Sequence, residues 1–153
     1  MKLRVYTDTS VIGGCFDPEF MDWSNKLIDE ILQRKKIAVL SDIIIDEIRD
    51  SPDNVKGKME ELINTDPELV AADDETDILA KNYIYEGAVT EKFFEDAQHI
   101  AIATVYKVDV LVSWNFRHIV NLNKIKLYNS VNLKNGYQTL EIRTPREILE
   151  ELR

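Results

Sequence analysis

Short strand-like runs alternate with segments of helical periodicity along the whole chain, and that order constrains the fold more than any other feature of the sequence. Residues 3–7 read as a strand, after which Gly13-Gly14 and Pro18 mark a loop. Residues 22–35 read as a helix, because Trp23, Leu27, Ile28, Ile31 and Leu32 recur at spacings of three and four. Residues 37–40 form a second strand, and 43–50 a short helix stopped by Ser51-Pro52, since a residue before proline is pushed out of helical geometry. Residues 55–64 read as a helix, 68–71 as a short strand and 75–85 as a helix. Residues 95–108 carry the strongest helical pattern, with Ala97, Ile100, Ala101, Thr104 and Val105 on a narrow face that can approach a sheet closely. Residues 110–113 read as a buried strand from their continuous apolar character. Residues 116–122 read as a helix, 139–142 as a last strand, and 145–152 as a last helix with proline in its first turn. Such alternation implies a mainly parallel sheet with helices on both faces, a three-layer α/β/α architecture.

At 153 residues, one domain spanning 1–153 with a sizeable core is expected. A single cysteine, Cys15, excludes an internal disulfide framework and a cysteine-rich zinc site, and fits a reducing cytosol. Residues 1–10 alternate polar and apolar side chains, unlike a secretion signal, and no apolar run reaches the roughly 20 residues of a membrane helix. The expected location is the cytoplasm, with no membrane partner. The net charge of −9 argues against a pure nucleic-acid-binding module, which would neutralise phosphates with a basic face. It leaves room for a metal-dependent nuclease, whose bound cations reverse the charge locally.

Asp8, Thr9 and Ser10 follow the first strand directly, which puts a carboxylate and two hydroxyls at the edge where open α/β folds build their sites. Asn115 stands just past the strand of residues 110–113, and Glu47 and Asp96 lie on expected helices. Each has an ordinary explanation alone. Asp8 serves a turn or cap, Glu47 is an exposed helical glutamate, Asp96 complements a helix dipole, and Asn115 turns the chain. Taken in order, they are able to converge at one sheet edge as an oxygen-lined pocket for a divalent cation. The acidic run Asp73, Asp74, Glu75 and Asp77 is read as a helix cap with favourable charge at the helix start.

In these segments the chain resembles PIN domains, in particular the toxin ribonucleases of toxin–antitoxin pairs. The matching pieces are Tyr6-Thr7-Asp8-Thr9-Ser10, Ser41 with Asp46-Glu47-Ile48, Asp96-Ala97-Gln98-His99-Ile100-Ala101-Ile102-Ala103, Leu111-Val112-Ser113-Trp114-Asn115-Phe116-Arg117-His118, and Ile142-Arg143-Thr144-Pro145. The resemblance implies a PIN-like fold and a divalent-metal-dependent endoribonuclease using Mg²⁺ or Mn²⁺. Its acidic metal positions would be Asp8, Glu47 and Asp96, with Thr9 or Ser10 supporting the first acid. Many relatives carry Asp where this chain carries Asn115, which leaves a neutral carbonyl ligand at the fourth position. RNA as substrate, an antitoxin protein and a homodimer are implied as partners.

Among the other residues, Arg117 is the candidate for phosphate contact through its planar fork, and His118 and His99 are candidate general bases. Trp114 is read as packing, with base stacking as the alternative. The run Gln33-Arg34-Lys35-Lys36 is read as a solvated helix end, and Tyr83, Tyr85, Phe93 and Phe94 as core or partner patch. Two other functional classes stay open. One is a catalytically weak PIN-like protein- or RNA-binding module; the other is a phosphotransfer domain using Asp8 as nucleophile.

Overall fold

The computed structural model describes residues 1–151, so Leu152, the expected end of the last helix, lies outside the described residues. In chain order the elements are β1 (Arg4–Thr7), α1 (Thr9–Gly14), α2 (Met21–Leu32), β2 (Ile37–Ser41), α3 (Asp42–Ile48), α4 (Asp53–Ile63), β3 (Glu68–Val70) and α5 (Asp74–Tyr85). A 3-10 turn (Glu91–Phe93) leads into α6 (Phe94–Val105), followed by β4 (Val110–Val112), α7 (Leu122–Lys134), β5 (Ile142–Arg143) and α8 (Pro145–Glu151). Among the described residues the strands form one sheet in the order β3-β2-β1-β4-β5, and every pairing is parallel. The eight α-helices flank it, which is the expected three-layer α/β/α architecture.

The strand order reverses beside β1. The chain builds outward through β2 and β3, then crosses back to lay β4 on the other side of β1. Open sheets leave a crevice beyond the carboxyl ends of the strands at such a switch point. The register pairs Tyr6 with Leu111 and Thr7 with Val112, so Asp8 and Ser113 leave the sheet side by side. Val5, Tyr6, Leu111 and Val112 are fully buried, as strands covered on both faces require. Arg4 ties β1 to β3 through Glu68, with Nε and Nη2 both donating to its carboxylate. No described helix is long and apolar enough to cross a membrane.

Three local expectations are corrected. Gly13 and Gly14 lie inside α1 rather than in a loop, because Asp8 caps that helix by accepting from Val11 N at 3.3 Å. Gly14 is there for space: a Cβ would stand 2.6 Å from Ser24 Oγ and 2.9 Å from Trp114 Nε1. Residues 116–122 are not a helix. Ile119 N and Val120 N both return to Asn115 O, and the helix starts later, at Leu122, with Asn121 capping Lys124 N. The last strand covers Ile142–Arg143 rather than 139–142. Asn129 of α7 holds Leu140 instead, through Leu140 N to Oδ1 at 2.7 Å and Nδ2 to Leu140 O at 3.2 Å.

Helices α2 and α6 each end three residues earlier than expected. α2 stops at Leu32, where Arg34 adopts φ +61° and Lys35 N returns to Glu30 O. α6 stops at Val105 in the same way, with Lys107 at φ +55° and Val108 N bonded to Ala103 O. Both are Schellman closures, with a non-glycine residue in the left-handed position.

Candidate active site

Asp8 is only 4 % exposed and sits directly past β1. Ser10 Oγ donates to its Oδ1 at 2.6 Å and Ser113 Oγ to its Oδ2 at 2.7 Å. Each serine also accepts a backbone N–H from the segment after β4: Trp114 N reaches Ser10 Oγ and Asn115 N reaches Ser113 Oγ, both at 2.9 Å. Two hydroxyls therefore clamp the first carboxylate between α1 and the end of β4. Burial pushes the Asp8 carboxyl above its usual range, opposed by the Ser10 bond, the nearby His99 and the Ser113 bond. Thr9 does not share this work, since its buried Oγ1 has no partner among the described residues.

Asp96 lies in the first turn of α6 and is reached from the same loop. Asn115 Nδ2 donates to Asp96 Oδ1 at 3.3 Å, while Asn115 Oδ1 accepts from Arg117 N at 3.2 Å and His118 N at 3.0 Å. Those two N–H groups settle which way the amide points. The Asn115 oxygen faces backbone, and its nitrogen faces the acid. Asp8, Ser113, Asn115 and Asp96 thus form one continuous hydrogen-bonded run. The Asp96 carboxyl is also held above its usual range, first by burial, then by the charges of Glu47 and Glu95, against the opposing effect of His118 and His99.

Glu47, on α3, is turned onto His99: its Oε1 lies 2.6 Å from Nε2. Behind it, His99 Nδ1 meets Tyr6 Oη at 2.7 Å, and Tyr6 Oη meets Ser41 Oγ at 2.8 Å. Burial works against a charged His99. The Glu47 bond and the charges of Glu47, Asp8 and Asp96 outweigh it and raise the pKa. His99 follows Asp96 by three residues, one turn along the same face of α6, and its ring reaches across to Glu47 on α3.

The remaining candidates divide. The His118 ring lies on Phe93 with centroids 3.8 Å apart, and its two covered nitrogens have no hydrogen-bond partner among the described residues. Burial lowers its pKa despite the pull of Asp96. Arg117 is exposed, with its guanidinium 5.7 Å above the same Phe93 ring. Trp114 packs: its Nε1 donates to Ser24 Oγ at 2.8 Å and its ring stacks on Phe20 at 4.4 Å. Lys36 is buried against Glu30, and Arg34 donates to Thr65 O, so these cations serve helix ends at the opposite edge of the sheet. Asp73 and Thr76 form a reciprocal capping box on α5, which explains that acidic run. Tyr83 is buried and donates to Asn132, whereas Tyr85 is exposed.

As the side chains stand, no group of three or more His, Cys, Asp or Glu among the described residues is set closely enough to hold a metal ion. Mg²⁺, however, keeps several waters and is commonly bound by one or two carboxylates. Asp8 and Asp96 suit that pattern. They are hard oxygen donors, burial disfavours their charge, and neither takes part in the ion pairs of the described residues. No protein-family model matches the chain, and no curated protein matches it.

Proposed function

We propose that this protein is a divalent-metal-dependent endoribonuclease of the PIN-domain class, cleaving single-stranded or structured RNA with Mg²⁺ or Mn²⁺. The observation that carries the reading is the run from Asp8 through Ser113 and Asn115 to Asp96, which joins two carboxylates outside the ion pairs of the described residues at the switch-point edge of the sheet. Asp8 and Asp96 would hold the cation, with Glu47 beside them. When bound, it would polarise a phosphate and lower the pKa of an attacking water. Ser10 and Ser113 fix the Asp8 oxygens, and Asn115 fixes one Asp96 oxygen. Arg117, exposed close by, offers a fork for phosphate oxygens. A toxin role, an antitoxin whose basic and apolar side chains cover this edge, and a homodimer follow from the resemblance.

Purified protein is expected to cleave a single-stranded RNA with Mn²⁺ or Mg²⁺ and to stop on chelation. Cleavage indifferent to the chelator contradicts the reading. One observation favours a catalytically weak binding module instead: Glu47 Oε1 and Asn115 Oδ1 are both already engaged within the protein. That alternative predicts no rise in melting temperature at millimolar Mn²⁺, whereas native-state metal binding must raise it by mass action.

Asn115→Asp separates the two further. The substitution keeps an oxygen for the Arg117 and His118 amides but sets a second carboxylate oxygen against Asp96 where an N–H donor stood. Metal-free stability is expected to fall by about 1–3 kcal/mol, the cost of leaving such a partner unpaired. Mn²⁺ affinity rises at the same time, since a further negative charge is added beside the cation. Melting curves with and without Mn²⁺ check both halves, and an unchanged metal response places residue 115 outside the ion's reach.

A further inference from the structure

We infer that His99 is the positioning residue for Glu47, braced from behind by Tyr6 and Ser41, so that only one oxygen of the third carboxylate is left to face a ligand. The inference rests on the metal-dependent reading above and assigns a task to a side chain outside its acidic set.

Donors and acceptors alternate around a nearly closed ring of contacts. Ile44 N donates to Ser41 Oγ at 3.3 Å at the start of α3, so the serine proton is free to point elsewhere. Ser41 Oγ, Tyr6 Oη and His99 Nδ1 follow at 2.8 and 2.7 Å, and His99 Nε2 meets Glu47 Oε1 at 2.6 Å. An ionised carboxylate only accepts, so Nε2 carries the proton. Nδ1 of the neutral ring then accepts from Tyr6, and Tyr6 accepts from Ser41. Every donor in the series has an acceptor. A doubly protonated ring keeps the same Nε2 donation to Glu47 and reverses only the Tyr6 and Ser41 protons behind it.

Burial gives the series a direction. Tyr6 and Ser41 are fully buried and His99 is 3 % exposed, while the Glu47 side chain is 29 % exposed. The fixed end lies in the core, and the free end is a carboxylate at the surface. A glutamate side chain left loose would spread over many rotamers. Here the series begins at the cap of α3 and returns to the same helix at Glu47, spanning β2, β1 and α6 between. Groups that orient ligating carboxylates in this way typically govern metal affinity or activity by 10–100-fold.

The test is a double-mutant cycle read by Mn²⁺ calorimetry on the full chain, with apo-protein imidazole ¹⁵N spectra as a second readout. His99→Leu is expected to weaken Mn²⁺ about 10–100-fold, and His99→Gln, whose amide still donates toward Glu47, to recover most of that loss. In a Glu47→Gln background His99→Leu should add nothing further. The spectra should show a proton on Nε2, and Tyr6→Phe, which removes only the phenolic hydroxyl, should shift the Nδ1 signal. Equal losses in both backgrounds, or no rescue by glutamine, reduce His99 to packing and overturn the inference. Should Asp8→Asn abolish Mn²⁺ binding while His99→Leu leaves it intact, the inference fails and the metal reading stands. Absence of Mn²⁺ binding by the wild type overturns both.

Discussion

Asp8→Asn and Asp96→Asn are each expected to lower metal-stimulated RNA cleavage by about 10²–10³-fold, the scale seen when one preorganised electrostatic group is removed, without unfolding the protein. Asparagine has the same shape as aspartate and keeps a carbonyl oxygen to accept from Ser10 or Asn115. What disappears is the negative charge. Stability of the metal-free protein should move the other way. Both carboxyl groups have raised pKa values in the fold, so the folded protein holds their protons more tightly than the unfolded chain does. Each acid therefore costs stability progressively as the pH rises above the ordinary carboxylate range, and in full above its folded value. In chelator at neutral pH, both amide variants should melt above the wild type. That advantage should shrink as the pH falls through the folded pKa values toward the ordinary carboxylate range. Wild-type cleavage rates in purified variants would identify a contaminant and remove the nuclease assignment.

Trp114→Ala is expected to cost about 3–5 kcal/mol, the range for truncating a large buried aromatic. Its ring stacks on Phe20, its Nε1 satisfies Ser24, and it lies against Gly14 of α1. The same backbone carries Ser113 and Asn115, so the loss should loosen the clamp on Asp8 along with the core. Gly14→Ala probes the contact from the other side. Its added methyl meets Ser24 and Trp114 at under 3 Å and should cost about 1–3 kcal/mol by overpacking. Denaturant unfolding measures both. If Trp114→Ala costs less than about 1 kcal/mol but weakens RNA binding, the indole is a stacking surface rather than core.

Much of this arrangement was legible in the residues because it follows from periodicity. The apolar run at β4, the small-residue face of α6 and the strand before Asp8 each point to a parallel sheet, and the sheet forms. Less legible was whatever depends on a partner distant in sequence. α1 was hidden by two glycines, which normally weaken a helix; at Gly14 the reason is the Trp114 ring, a hundred residues away. α7 was hidden because it exposes Leu122, Leu127 and Leu133 while burying Asn132, which receives the Tyr83 hydroxyl proton. At the candidate site, type and order nominate the acids, and nothing local points to their supports. Ser10 rather than Thr9 holds Asp8, and His99 holds Glu47. The Asn115 oxygen faces backbone amides, which turns the expected neutral ligand toward the protein. No local pattern distinguishes these choices, since each depends on rotamers fixed by packing.

The most direct measurement of the central claim is anomalous scattering from crystals soaked in Mn²⁺. The account predicts a peak at the carboxyl edge of β1 and β4, ligated by oxygens of both Asp8 and Asp96 and absent in Asp96→Asn crystals. A well-ordered soak with no peak there, or with manganese bound elsewhere while Asp8 and Asp96 keep only their present hydrogen bonds, would contradict it.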